Sequence, residues 1–233
     1  MLTRLALIVL LILLTPYVIA EEKTCSQWGE SNRVDEYRID KLFIKAYVSR
    51  GNCACTTPNQ ATLIVSGIIS MDSSYAISKI IQGLNLCPLP SDPGPGDRLR
   101  VTLDSPGGEI IHGLYLGELL RNYGALTIVP NGKTCASSCA LAFLGGSHRH
   151  FEYGAKLALH APYTVGEDGK ITCHSSGKVA DGLKQYLLEM LGPDYAEIVF
   201  DRMMSYCSRQ EAWTITGTKA AHLYGIVSEP GWW

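Results

Sequence analysis

The sequence predicts a single α/β domain with a largely parallel sheet, and three observations carry that expectation. Short β-branched runs alternate with segments whose apolar residues recur every three or four positions, the order that builds strand–helix–strand units. Gly, Pro and Asp punctuate the connections, with no internal repeat and no linker that would split the chain. A chain of 233 residues, 46% hydrophobic and 18% charged, is long enough and apolar enough for one large core.

The chain opens on "MLTRLALIVLLILLTPYVIA", where Arg4 precedes an apolar run from Leu5 to Leu14 and Pro16 breaks it. Small residues at Val18 and Ala20, followed by Glu21 and Glu22, match a signal peptide cut after Ala20. The run is short for a bilayer span, although an uncleaved anchor is the alternative. Residues 21–60 read as a polar, irregular N-terminal extension with one strand-like run, "KLFIKAYVS". The folded domain is expected over 61–233.

Within it, "ATLIVSGIIS" is a β-branched strand bounded by turn formers. "SSYAISKIIQGL" then sets Ala76, Ile77, Ile80, Ile81 and Leu84 at helical spacing. A turn-rich loop, "CPLPSDPGPGD", leads to the strand "RLRVTLD", the amphipathic helix "EIIHGLYLGELLRNY" and the strand "ALTIVP". "KLALHAPY" follows as a strand, then a hairpin-like insert around "GEDGK" and two helices, "KVADGLKQYLLEML" and "DYAEIVFDRMMSY".

A net charge of −2 gives no electrostatic reason for a nucleic-acid partner or an anionic membrane surface. Eight cysteines, Cys25, Cys53, Cys55, Cys87, Cys135, Cys139, Cys173 and Cys207, all follow the cleavage site, and in an exported chain they predict at least two disulfides. Cys135 and Cys139 are close enough in sequence for a local bridge. No paired CxxC spacing for zinc is present. Cys173-His174 and the "HRH" of His148 to His150 read as a structural cysteine and solvated loop histidines. No metal and no organic cofactor is expected.

Two junctions could carry chemistry. In "LDSPGGEIIHG", Pro106, Gly107 and Gly108 lie between a strand and a helix. Bare backbone N–H groups there suit an anion or a developing oxyanion, though a tight turn is the simpler explanation of a lone Gly-Gly. In "GKTCASSCALAFLGG" a serine opens a helix, as an N-cap or as a nucleophile. A nucleophilic serine needs a base, and His160, ahead of Pro162, supplies one.

In that order, "LDSPGGEIIHGLYLGELL", "PNGKTCASSCALAFLGG" and "KLALHAPY" resemble the Clp protease proteolytic-subunit (ClpP) family. The likeness runs over roughly residues 61–228 and is most specific between 101 and 163. "CASSCAL" behind a signal peptide resembles the exported ClpP-like branch. The resemblance implies a ClpP/crotonase-like fold and an exported serine peptidase, periplasmic or secreted. Counting back from Gly146, and forward from Gly108, it implies Ser137 as nucleophile, with Ser138 the alternative. It makes His160 the base and the N–H groups of Gly108 and Ser138 the oxyanion hole. The family's third residue, an aspartate, has no counterpart in "SRQEAWTIT". Glu211 is the nearest acid, one residue out of register, and Asp201 lies further upstream. The implied partners are peptides or unfolded chains and further copies of the protein; no ATP-driven unfoldase is expected outside the cytoplasm. A non-catalytic binding or assembly module on the same fold is the competing reading.

Overall fold

A computed structural model describes residues 33–49, 60–84, 86, 98–208 and 210–228. The expected signal peptide, and Cys25, Cys53, Cys55 and Cys87, lie outside the described residues.

The chain enters through a hairpin, β1 (Arg33–Ile39) and β2 (Leu42–Ser49), and continues into β3 (Gln60–Ile69) and α1 (Met71–Gly83). β3 buries Ala61, Leu63 and Val65 on one face, as its β-branched alternation requires. Ser70 starts α1 with a capping box: Ser70 Oγ accepts from the Ser73 N–H and Ser73 Oγ from the Ser70 N–H. Then come β4 (Leu99–Gly108), α2 (Ile110–Asn122), β5 (Leu126–Val129), β6 (Thr134–Ala136) and α3 (Ser138–Leu144). β7 (His148–Phe151) and β8 (Lys156–Leu159) precede a small hairpin of β9 (Tyr163–Val165) and β10 (Ile171–Cys173). The chain closes with α4 (Lys178–Leu191), α5 (Pro193–Met204), β11 (Trp213–Thr216) and α6 (Thr218–Leu223).

Nine strands form one mixed sheet: seven run in the order β1-β2-β3-β4-β6-β8-β11, and β5 and β7 branch from β4, β5 on β4 and β7 on β5. Its centre is parallel, from β3 through β4 and β6 to β8, while β1, β2 and β11 are antiparallel at the edges. β4 forks. Its first half (Arg100–Thr102) pairs with β5, and Ser105 pairs with Cys135 of β6. The fork splays β5 and β6 apart, and α3, buried along its whole length, fills the gap.

The expected strands and helices from 61 to 206 are present, and so is the insert hairpin. Three differences have physical causes. β1 is hidden in the sequence because an edge strand tolerates charge, and Asp35, Glu36 and Arg38 blunt it. The "SPGG" stretch is strand rather than turn: Gly107 pairs with Ile68 and Gly108 with Ile69. The "HRH" stretch is strand β7, not a solvated loop.

Arg149 of that strand is buried, and its guanidinium meets no carboxylate among the described residues. Its guanidinium donates to the carbonyls of Gly146 (2.9 Å), Leu144 (3.3 Å) and Met190 (3.4 Å), and to those of Ile226 (2.9 Å) and Gly225 (3.1 Å). These carbonyls close α3 and α4 and follow α6, so a cation meets the negative ends of helices. Burial pushes the guanidinium pKa down to about 10, which leaves it charged at neutral pH. Arg121 reinforces the same point, donating to Leu144 and Met190 carbonyls.

Candidate active site

Ser137 sits between β6 and α3 with φ 56° and ψ −125°. Positive φ is uncommon for a residue with a Cβ and costs roughly 1–3 kcal/mol. The surroundings over-determine it. The Ser137 N–H is tied to the Ala158 carbonyl of β8 at 2.8 Å, and the buried disulfide Cys135–Cys139 brackets the turn. Ser137 occupies the N-cap position of α3, yet its side chain makes no capping bond. The hydroxyl is therefore not spent on the helix end.

Gly107 lets β4 approach this turn. A Cβ there would stand 2.5 Å from the Ala136 carbonyl oxygen and 2.7 Å from Ser137 Cβ, and φ of +95° already excludes most residues. Gly108 follows with φ +154° and ends the strand. The Glu109 N–H is spent on the Ile69 carbonyl of β3 at 2.9 Å. Alternation along a parallel ladder turns the preceding N–H, that of Gly108, to the opposite edge, the Ser137 side.

Ser138 begins α3, so its N–H is one of the unpaired donors of a helix start. Its side chain is 1% exposed, packed against Gly113, with Oγ lacking a partner among the described residues. Of the two serines, Ser137 is the accessible one.

His160 follows β8 directly. Its Nδ1 lies 2.8 Å from the Ala161 carbonyl oxygen, which can only accept. Nδ1 therefore carries the proton, and Nε2 of the neutral ring is a bare acceptor. The ring lies tilted against that of Tyr163, with centroids 5.3 Å apart. Gly108, Ser137 and His160 line one cleft of about 410 Å³. Glu109, Ile110, Ile111, Pro162 and Tyr163 make up the rest of its wall. No direct hydrogen bond joins Ser137 to His160; such bonds are often long before substrate arrives. No lysine lines the cleft, which leaves His160 as its only nitrogen base among the described residues.

The structure does not bring Glu211 to His160. Glu211 is exposed in the loop ahead of β11, and its described hydrogen bond is from its backbone N–H to Ser208 Oγ at 3.2 Å. Asp201 is exposed on α5. Two wall features escaped the sequence, Glu109 and Tyr163. The signal for Glu109 was its place directly after the glycine pair. A second disulfide, Cys173–Cys207, fastens the β9–β10 hairpin to the segment after α5 and so braces that wall. It also removes Cys173 from any metal-ligand role.

No family model matches this sequence, and no curated protein matches it either. Among solved structures, a serine-to-alanine variant of the 1510-N membrane-bound stomatin-specific protease superposes with a TM-score of 0.51 and 16% identity. That match covers 70% of this chain and 75% of the other. A lysine-to-alanine variant of the same protease, in complex with a substrate peptide, gives 0.50 and 16% over 70% and 71%. An asparagine-to-aspartate variant of ClpP1 from Listeria monocytogenes gives 0.48 and 15% over 71% and 88%. At these identities the likeness is one of architecture: the chain has the mixed α/β, mostly parallel-sheet fold of ClpP-like proteases.

Proposed function

We propose that this chain is an exported serine peptidase acting through Ser137 and His160. One observation carries the reading. Ser137 holds a strained backbone conformation at a strand–helix junction, its hydroxyl caps nothing, and it lines the same cleft as His160. Strain of this kind persists where a function keeps it.

In the proposed reaction Ser137 Oγ attacks a peptide carbonyl and passes its proton to His160 Nε2. The Ala161 carbonyl, on Nδ1–H, orients the imidazole and supports the imidazolium, a role carboxylates usually fill. The N–H groups of Gly108 and Ser138 receive the developing oxyanion; each such donor is worth about 10²–10³ in rate. His160 returns the proton to the leaving amine, and water repeats the sequence on the acyl-enzyme.

Peptides or unfolded chains are the proposed substrates, and a homo-oligomer the proposed assembly, working without an ATP-driven unfoldase. Export rests on the signal-like segment, and the two disulfides are compatible with an oxidising compartment. A second reading, a non-catalytic module, is favoured by one fact: no carboxylate meets His160 among the described residues. Treatment of the purified protein with a fluorophosphonate probe decides between them. A covalent adduct on Ser137 supports the peptidase; a full-length, folded protein that takes up no probe sinks it.

A further inference from the structure

We propose that Glu109 determines specificity by drawing a cationic group of the substrate into the cleft: a lysine or arginine side chain, or a free α-amino group. The inference rests on the peptidase reading and deepens it.

Glu109 occupies the N-cap position of α2, where Ser, Thr, Asp or Asn would be the usual choice, and it forms no side-chain cap. Its carboxylate is held otherwise. Glu109 Oε2 lies 3.3 Å from His112 Nε2, and His112 Nδ1 lies 3.0 Å from Ser74 Oγ on the neighbouring helix α1. Ser74 is buried and also within 2.9 Å of the Met71 carbonyl, so the far end of this chain of contacts is anchored in packed structure. The near end is 63% exposed and lines the cleft beside Gly108. His112 Nε2 donates to the Glu109 carboxylate.

The rest of the wall gives that charge its meaning. No lysine or arginine lines the cleft, and Glu109 is its sole carboxylate among the described residues. Ile110, Ile111, Pro162 and Tyr163 offer apolar surface. A volume of about 410 Å³ admits a long side chain. A lysine or arginine would lay its aliphatic stem on this surface and its charged head on Glu109. Ser74 is not a second nucleophile, because it is 2% exposed. Ser74 and His112 are positioning residues for Glu109.

The test is equilibrium binding to the Ser137→Ala variant, so that no chemistry is required. Fluorescent peptides differing only in lysine against norleucine are compared, and a second pair differs only in a free against an acetylated N-terminus. The expected result is a preference of about tenfold for the cationic member of one pair, which names the source of the cation. Glu109→Gln should erase that preference, and Glu109→Lys should turn it toward a glutamate-bearing peptide. His112→Gln should weaken cationic binding while leaving the norleucine peptide as it was. Equal binding within both pairs, no binding up to millimolar peptide, or a preference untouched by Glu109→Gln would overturn the inference. Hydrolysis of neutral and cationic peptides at equal rates breaks this proposal and spares the peptidase. Selective binding by an unsubstituted protein that hydrolyses nothing does the reverse.

Discussion

Two serine–histidine pairs among the described residues are built in opposite ways. Ser74 and His112 are already hydrogen-bonded at 3.0 Å, with Glu109 on the far ring nitrogen. Ser137 and His160 share no direct bond, and the far nitrogen of His160 meets only a backbone carbonyl. Counted by atoms, the helical trio looks more like a catalytic triad. Yet Ser74 is buried on a regular helix, and its hydroxyl already lies beside the Met71 carbonyl. Ser137 instead lines a cleft on a backbone of positive φ, beside Gly108. The proposed nucleophile is therefore chosen by access and backbone geometry, not by which side chains happen to touch.

The contrast can be broken experimentally, and the largest effect comes first. Ser137→Ala should abolish probe labelling, and with it hydrolysis, by about 10⁶-fold. His160→Ala should cost nearly as much, and the double variant little more than either, because members of a catalytic unit are not additive. Labelling that survives Ser137→Ala on Ser138 would shift the register by one; labelling on Ser74 would invert the comparison.

Gly107→Ala probes the backbone half of the contrast. A Cβ forced against Ala136 and Ser137 at φ +95° should cost at least 1–3 kcal/mol, about the strain of a poorly populated backbone region. Thermal unfolding would report that loss, and the labelling rate should fall with it. A variant as stable and as reactive as the parent would show that the close approach of β4 is unimportant.

Glu211→Gln asks whether a carboxylate is needed after all. With the Ala161 carbonyl orienting His160, the expected loss in labelling rate is below about fivefold; a loss near 10⁴ would identify Glu211 as the orienting acid instead. Ser74→Ala is the smallest effect. It should slow labelling by a neutral probe less than about threefold, since it reaches the cleft only through His112 and Glu109.

The long periodic elements were legible because their signals are local. α1, α4 and α5 bury the residues that helical spacing selects, among them Ile77, Ile81, Leu183, Leu187, Val199 and Met203. Ser137, His160 and Gly108 were legible through their order and spacing, and the structure gathers them into one cleft. What was not legible depends on partners far along the chain. "SPGG" is strand because Ile68 and Ile69 pair with it. β6, only three residues long, exists because β4 and β8 flank it. Arg149 reads as a surface cation until carbonyls as distant as Gly225 and Ile226 are placed around it. Glu211 is near the expected acid position in sequence, and sequence distance says nothing about which way a loop turns its side chain.

Arg149 also imposes an order in time. The carbonyls that satisfy its guanidinium come from residues 144–146, from 190 and from 225–226, and the Arg149 N–H is held at 2.7 Å by Ser228 Oγ. While the chain is growing, a cation that belongs inside waits for acceptors still unsynthesised. The Leu144 carbonyl that ends α3 lies on this guanidinium, and α3 carries the turn on which Ser137 is mounted. The cation at the end of the helix that Ser137 opens is therefore completed by residues almost ninety positions beyond that serine. A chain stopped short of Gly225 would carry every side chain of the cleft yet lack two of the carbonyls and the hydroxyl that hold Arg149.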